Sequence, residues 1–158
     1  MYPDSNQALS YETNDAVYWF SHAFDLLNNW SANAVSIWGQ VFPTVEHGYH
    51  YKKFSETSPQ VAAKILAAPS PWAAMQIERG HKDKRRKDWQ DVKVDIMTEL
   101  VRAKVSQNED VEECLRKTGS KQIIENSPWD TFWGIGKDGD GQNQMGKILM
   151  QVRTELVE

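Results

Sequence analysis

Pro43-Thr44-Val45-Glu46-His47-Gly48-Tyr49-His50-Tyr51-Lys52-Lys53-Phe54 is the stretch in which this chain turns helical. Thr44 is a hydroxyl N-cap, and Glu46 puts a negative charge in the first turn, where the helix dipole favours one. On that helix Glu46, His50 and Lys53 stand at i, i+4 and i+7 and share a face. A carboxylate, an imidazole and an ammonium side by side can serve as acid, base and electrostatic stabiliser. A solvated face with i,i+4 pairing is the competing reading.

Downstream the helical signals continue. Ser58-Pro59 and Ser70-Pro71 each set a capping hydroxyl before a proline at the first helical position, which predicts helices over about 59–68 and 71–79. Trp89, Val92, Ile96, Leu100 and Val101 recur at helical spacing from Asp88 to about Val105. Asn108 opens a further short helix with Val111, Cys114 and Leu115 inward, closed by Gly119. Gln122–Glu125 is a candidate strand, 127–142 a loop rich in Gly, Asp and Trp, and Asn143 the cap of a last helix with Met145, Ile148, Leu149, Val152 and Leu156 inward. Upstream, Ala16–Phe20 and Ala34–Trp38 are short β-prone runs, expected to pair with each other as an antiparallel ribbon. Residues 1–15 are polar and aperiodic and are expected to form a flexible arm. The fold expected is mainly α (α+β), with one multihelical domain over 16–158 and a small antiparallel β element.

The chain has 158 residues, a formal charge of −4 and one cysteine. That balance excludes nucleic-acid binding by bulk charge, so phosphate contacts must come from a local patch. A lone Cys114 excludes an internal disulfide and fits a reducing, cytoplasmic setting. No leader pattern and no long apolar run is present, which predicts neither export nor membrane spanning. Seven tryptophans among these residues are more than a core of this size requires.

Two further stretches have unusual composition. Trp129-Asp130-Thr131-Phe132-Trp133-Gly134-Ile135-Gly136-Lys137-Asp138-Gly139-Asp140-Gly141 combines indole faces for stacking with glycines that allow close backbone approach; a purely structural aromatic loop is the alternative. It lacks the spacing of a Walker loop, a dinucleotide fingerprint or an EF-hand. His81–Lys87 has five Lys or Arg in seven residues, suited to phosphate or simply to a solvated turn. His22 and His81 have no partner at metal-ligand spacing, and no metal is assigned.

The order of these pieces resembles the YbiA-like family, also called NADAR. The resemblance runs over about 17–156. Asn28-Asn29-Trp30-Ser31 is similar to the family's Ser-Asn-Phe-Tyr, and Gly39 with Thr44-Val45-Glu46-His47-x-Tyr49-x-x-x-Lys53-Phe54 is similar to its Glu-His helix. Trp89, Met97, Ala103-Lys104, Leu115, Thr118-Gly119 and Glu125 follow in family order. Asp130-x-x-Trp133-Gly134-x-Gly136 and Asn143-x-x-Gly146-x-x-Leu149-Met150-x-Val152-Arg153 complete it. Asn28, His50-Tyr51 and Val105 depart from the residues usual in the family.

The resemblance implies an N-glycosidase that hydrolyses the ribose C1–N bond of ADP-ribosylated nucleobases, with ADP-ribosyl-guanine in DNA as leading substrate, and that needs no metal or redox cofactor. Ribosylated riboflavin-pathway intermediates are the alternative substrates, and a non-catalytic NAD or ADP-ribose binding module the alternative function. Glu46, Lys53, Asp130 and His50 are the candidate catalytic residues. Asn29, His47, Trp129, Trp133, Gly134, Gly136, Asn143 and Arg153 are the candidate ligand contacts. The expected partner is the ribosylated nucleotide, ADP-ribosylated DNA included, and no membrane; the sequence leaves oligomeric state open.

Overall fold

The computed structural model describes residues 10–19 and 25–157. The first nine residues of the expected arm, Phe20 of the first β-prone run, and His22 lie outside them. The chain forms two compact units, one from the segments up to Asn28 and from Asp110 onward, the other from Asn29–Glu109.

The first unit carries a three-stranded sheet of β1 (Tyr11–Glu12), β2 (Ala16–Trp19) and β5 (Gln122–Glu125), ordered β1-β2-β5. β2 runs antiparallel to β1, Tyr11 opposite Tyr18, and parallel to β5, Ala16 opposite Gln122 and Trp19 opposite Glu125. The Tyr11 and Tyr18 rings stack with centroids 4.4 Å apart. Residues 11 and 12 of the expected arm are thus sheet, because Tyr11 has a cross-strand aromatic partner. Helices α5 (Glu109–Lys117) and α6 (Gln144–Glu155) follow the expected positions, and α6 packs on β5. Val17, Ile123, Leu115, Met145, Ile148, Leu149 and Val152 are buried here. Gly119 takes φ 60° after α5, the left-handed C-terminal position expected of it.

In the second unit, β3 (Val35–Ile37) pairs antiparallel with β4 (Gln40–Phe42), not with β2. The expected long-range ribbon is therefore replaced by a local hairpin. Its turn is Trp38-Gly39, φ 53° and 73°, the two positive values that a tight two-residue hairpin requires. Trp at such a position is strained, which is why the turn is hard to see in sequence. Its ring is held by a bond from Nε1 to Glu99 Oε2 (3.1 Å), by the Lys52 ammonium 4.7 Å from the ring centroid, and by an edge contact with Phe42.

Four helices complete this unit: α1 (Val45–Lys52), α2 (Pro59–Leu66), α3 (Pro71–Arg79) and α4 (Trp89–Gln107). Thr44 caps α1 and Ser70 caps α3 by accepting backbone N–H bonds, and Pro stands at the start of α2 and α3, as the sequence predicts; the Ser58 hydroxyl, expected to cap α2, makes no such bond, and α2 starts on its proline alone. Phe54, Val61, Ala62, Ile65, Ala68 and Ala74 form one apolar cluster. α1 also packs on α4 and β4. Gly48 makes that contact close: a Cβ there would stand 2.7 Å from Leu100 Cδ2 and 3.3 Å from Phe42. Gly48→Val is expected to lower stability by about 2–3 kcal/mol through overpacking, measured by urea denaturation.

Candidate active site

The first turn of α1 needs partners for its free N–H groups. The Glu46 N–H donates to Asn29 O (3.1 Å), so the Asn29–Trp30 segment is fastened to the helix start. Thr44 Oγ1 accepts from the His47 N–H (3.2 Å). His47 then points inward, 1% exposed, with Nδ1 2.8 Å from Thr44 Oγ1 and Nε2 3.0 Å from Ala68 O. A carbonyl can only accept, so Nε2 carries the proton and Nδ1 accepts from the threonine hydroxyl. Nδ1 thus closes the cap of α1, and Nε2 ties α1 to the segment that follows α2. His47, expected as a ligand contact, is buried with both ring nitrogens bonded inside its own unit.

The next face of α1 is the expected cluster. His50 Nε2 lies 2.8 Å from Glu46 Oε1. The Trp30 indole N–H donates to the same carboxylate. Burial alone would raise the Glu46 carboxyl, but the His50 bond and charge, the Lys53 charge and the Trp30 N–H outweigh it and hold Glu46 below the ordinary carboxylate range. Glu46 is thus an anion at neutral pH. With Glu46 ionised, Nε2 is the protonated nitrogen of His50. Its Nδ1 is buried and has no hydrogen-bond partner among the described residues.

Lys53, directly after α1, is 6% exposed. Its Nζ lies 3.3 Å from Glu78 Oε1 on α3, 4.8 Å from the Tyr49 ring centroid and 5.3 Å from that of Trp89 on α4. Burial first, then the positive charges of Arg85, Lys82 and Lys93, push its amine down to about 7 against the pull of Glu46. Near neutrality Lys53 divides between ammonium and free amine. Glu78, 3% exposed, is shared with Arg85, whose guanidinium pairs with the same oxygen.

Arg85 belongs to the basic run, and the structure changes how that run reads. The Arg86 N–H donates to Lys53 O (2.8 Å), and Thr57 Oγ1 donates to Lys84 O (2.6 Å), so the run is strapped across the end of α1. Arg86 chelates Asp88 through Nε and Nη2 at 2.7 and 3.0 Å. Two of the five cations therefore face acidic side chains of the protein rather than phosphate. Lys82, Lys84 and Lys87 are exposed.

The other expected site residues, Asn29 apart, belong to the first unit. Asp130 Oδ1 accepts from the N–H groups of Phe132 and Trp133 at 2.9 and 2.7 Å, the hub of its own turn. The close approach at Gly134 is to its own chain: a Cβ there would stand 2.9 Å from Glu125 O. Gly136 sits at φ 68°, a turn requirement. Asn143 does not cap α6 with its side chain. From φ 51°, its oxygen accepts from the Glu125 N–H and its nitrogen donates to Ile123 O, both at 2.9 Å, joining α6 to β5. Arg153 Nη1 donates to Thr118 Oγ1 and Lys121 O, each 2.8 Å away. Trp129 is 58% exposed, and Trp133 meets Phe132 edge-on. Asn29 contributes its carbonyl as above, and its Nδ2 lies 3.6 Å from Met97 Sδ. Trp30, Glu78 and Arg85 are participants that sequence reasoning missed. No three potential ligands gather into a metal cluster among the described residues, and no described helix is long and apolar enough to cross a membrane.

A mainly helical α+β fold thus gathers an anionic carboxylate, an imidazole and an amine of lowered basicity on α1 and the residue that follows it. The chain belongs to the NADAR domain family, whose profile matches residues 10–157. It is 37% identical over 134 residues to an N-glycosidase of Nostoc punctiforme, covering 84% of this chain and 86% of that one. It is 30% identical over 129 residues to the N-glycosidase YbiA of Escherichia coli, covering 82% and 79%. A riboflavin biosynthesis protein of Vibrio vulnificus is 37% identical over 138 residues, and there the chain spans only 36% of its relative's length. The solution NMR structure of Escherichia coli YbiA superposes with a TM-score of 0.83 at 26% identity, covering 94% of this chain and 89% of that one.

Glu78→Gln removes the carboxylate that Lys53 and Arg85 share and leaves the Arg85 guanidinium and the buried Lys53 amine on a neutral amide. It is expected to cost about 3–5 kcal/mol in urea denaturation, well above the effect of an exposed ion pair such as Lys117–Glu113.

Proposed function

We propose that this chain is an N-glycosidase that hydrolyses the C1–N bond between ribose and a nucleobase, with ADP-ribosyl-guanine in DNA as its first substrate. The observation that carries the reading is Glu46, kept ionised on a helix face beside His50 and Lys53. The names of the Nostoc and Escherichia relatives support the same class of reaction. Breaking that bond passes through an oxocarbenium-like state with positive charge at C1 and O4 of the sugar. A fixed anion beside C1 lowers that state more than it lowers the neutral ground state, which is what catalysis requires. Water, polarised by the carboxylate, then adds to C1, and the base leaves with a proton.

Lys53 favours one variant of this path. A free amine near neutrality can add to C1 of the opened sugar, expel the base and form an imine; water then adds to the imine carbon and returns the amine. For DNA as substrate, Lys82, Lys84 and Lys87 are the cations of the basic run that remain open to phosphate. Ribosylated riboflavin-pathway intermediates are the second reading, favoured by the Vibrio relative's name.

Purified protein and its Glu46→Gln variant, given ADP-ribosyl-guanine DNA, NAD and ribosylaminopyrimidine phosphates, are expected to differ at least 100-fold in released base by mass spectrometry, with unchanged circular dichroism. Equal release by the two would refute Glu46. For the imine path, kcat/KM rises with pH through about 7 as Lys53 loses its proton, and borohydride added during turnover fixes the sugar on Lys53. A rate that falls over the same interval, with no adduct, assigns Lys53 to electrostatic support instead.

A further inference from the structure

Trp30 carries an inference that goes beyond the cluster on α1. Its indole is 41% exposed, yet its N–H is spent on the Glu46 carboxylate. A surface tryptophan normally does the reverse, burying its hydrocarbon and turning the N–H to water. Exposing the ring while its polar edge is satisfied inside leaves apolar area in solvent, an arrangement that packing does not reward. Its position is also fixed. The neighbouring Asn29 carbonyl accepts the Glu46 backbone N–H, Asn29 Nδ2 reaches Met97 Sδ, and Ser31 Oγ donates to Asn33 Oδ1 (2.8 Å) just beyond.

We propose that Trp30 positions this site twice over: its N–H aims the Glu46 carboxylate, and its exposed ring is the stacking face for the departing heterocycle. An indole edge bonded to the carboxylate sets the ring within a few ångströms of it. A base stacked on the ring therefore brings its glycosidic carbon to Glu46. Stacking tolerates any flat heterocycle, so Trp30 selects for aromatic leaving groups without choosing among purines, pyrimidines and flavin precursors. The inference deepens the N-glycosidase reading and rests on it for the identity of the departing group.

Two variants separate the two tasks. Trp30→Phe keeps a ring and removes the N–H; Trp30→Leu removes both. On whichever substrate the wild type cleaves, Trp30→Phe is expected to lower kcat by roughly 10- to 100-fold with KM within about threefold, and to move the acid limb of the pH profile upward, since Glu46 loses a donor. Trp30→Leu is expected to match that loss in kcat and to raise KM about 10-fold as well. Two readouts need no turnover. The wild-type emission spectrum minus that of Trp30→Phe is expected to change once on acidification, below the ordinary carboxylate range, and Glu46→Gln abolishes the change. By calorimetry dGMP binds wild type and Trp30→Phe, and about 10-fold more weakly Trp30→Leu. An unchanged kcat in Trp30→Phe, or a difference spectrum flat with pH, overturns the aiming role. Equal dGMP binding by all three proteins, or none by the wild type, overturns the stacking role. If no substrate is cleaved while both optical and binding results appear, the N-glycosidase reading fails and Trp30 stands as a base-binding residue.

Discussion

A single buried carboxylate, Glu78, organises the second unit around its site. It answers Lys53 at the end of α1 and Arg85 in the basic strap, from a position at the end of α3. An ion pair taken out of water rarely stabilises more than apolar packing would, but removing one partner leaves an uncompensated charge. The geometry of the cluster is therefore enforced by a penalty on its alternatives. The strap is held to the same place by its backbone, where the Arg86 N–H donates to the Lys53 carbonyl beside the Arg85–Glu78 pair.

The same cluster separates the electrostatics of two groups that simple pairing would have tied together. Glu46 gains three favourable contacts and stays an anion. Lys53 sits against the Tyr49 and Trp89 rings and shares its carboxylate with a guanidinium that never gives up its charge. One group is held charged and the other is released from charge by surroundings less than two helical turns apart. Acid–base sites are built on such divergence.

Much of this was legible in the sequence because it is local. Thr44 and Ser70 mark helix starts by the bonds their side chains accept, Pro59 and Pro71 by standing at the first helical position, and Gly119 by its φ, and α1, α2, α3 and α5 fall where those residues put them. The spacing of Glu46, His50 and Lys53 likewise sets one face of α1. The β pairing was not legible. Ala16–Trp19 finds a parallel partner far along the chain, and Val35–Ile37 turns through a tryptophan that turn chemistry would not nominate. The bonds of His47, Asn143, Asp130 and Arg153 were not legible for one reason: each goes to backbone or side-chain groups of its own unit, and a motif shows a residue type without its partners. Glu78 gave no signal, since a carboxylate near a helix end is ordinary in sequence, and Trp30 stood in a family-like stretch without any sign that its N–H would meet Glu46.

The register of β2 against β5 has a further consequence, for the order in which the molecule is made. The paired strands lie more than a hundred residues apart in the chain, and all of Asn29–Glu109 is synthesised between them. During translation that contiguous stretch emerges whole, with the hairpin, the four helices and the buried ion pairs all supplied from within it. β2 has by then emerged with its parallel partner still unmade. Closure of the sheet is thus the late, non-local step, slow in the way of any pairing that must first bridge a long loop. Until then Val17 and Trp19, destined for burial, stand on an open strand edge, the segment of a nascent chain most in need of a chaperone's cover.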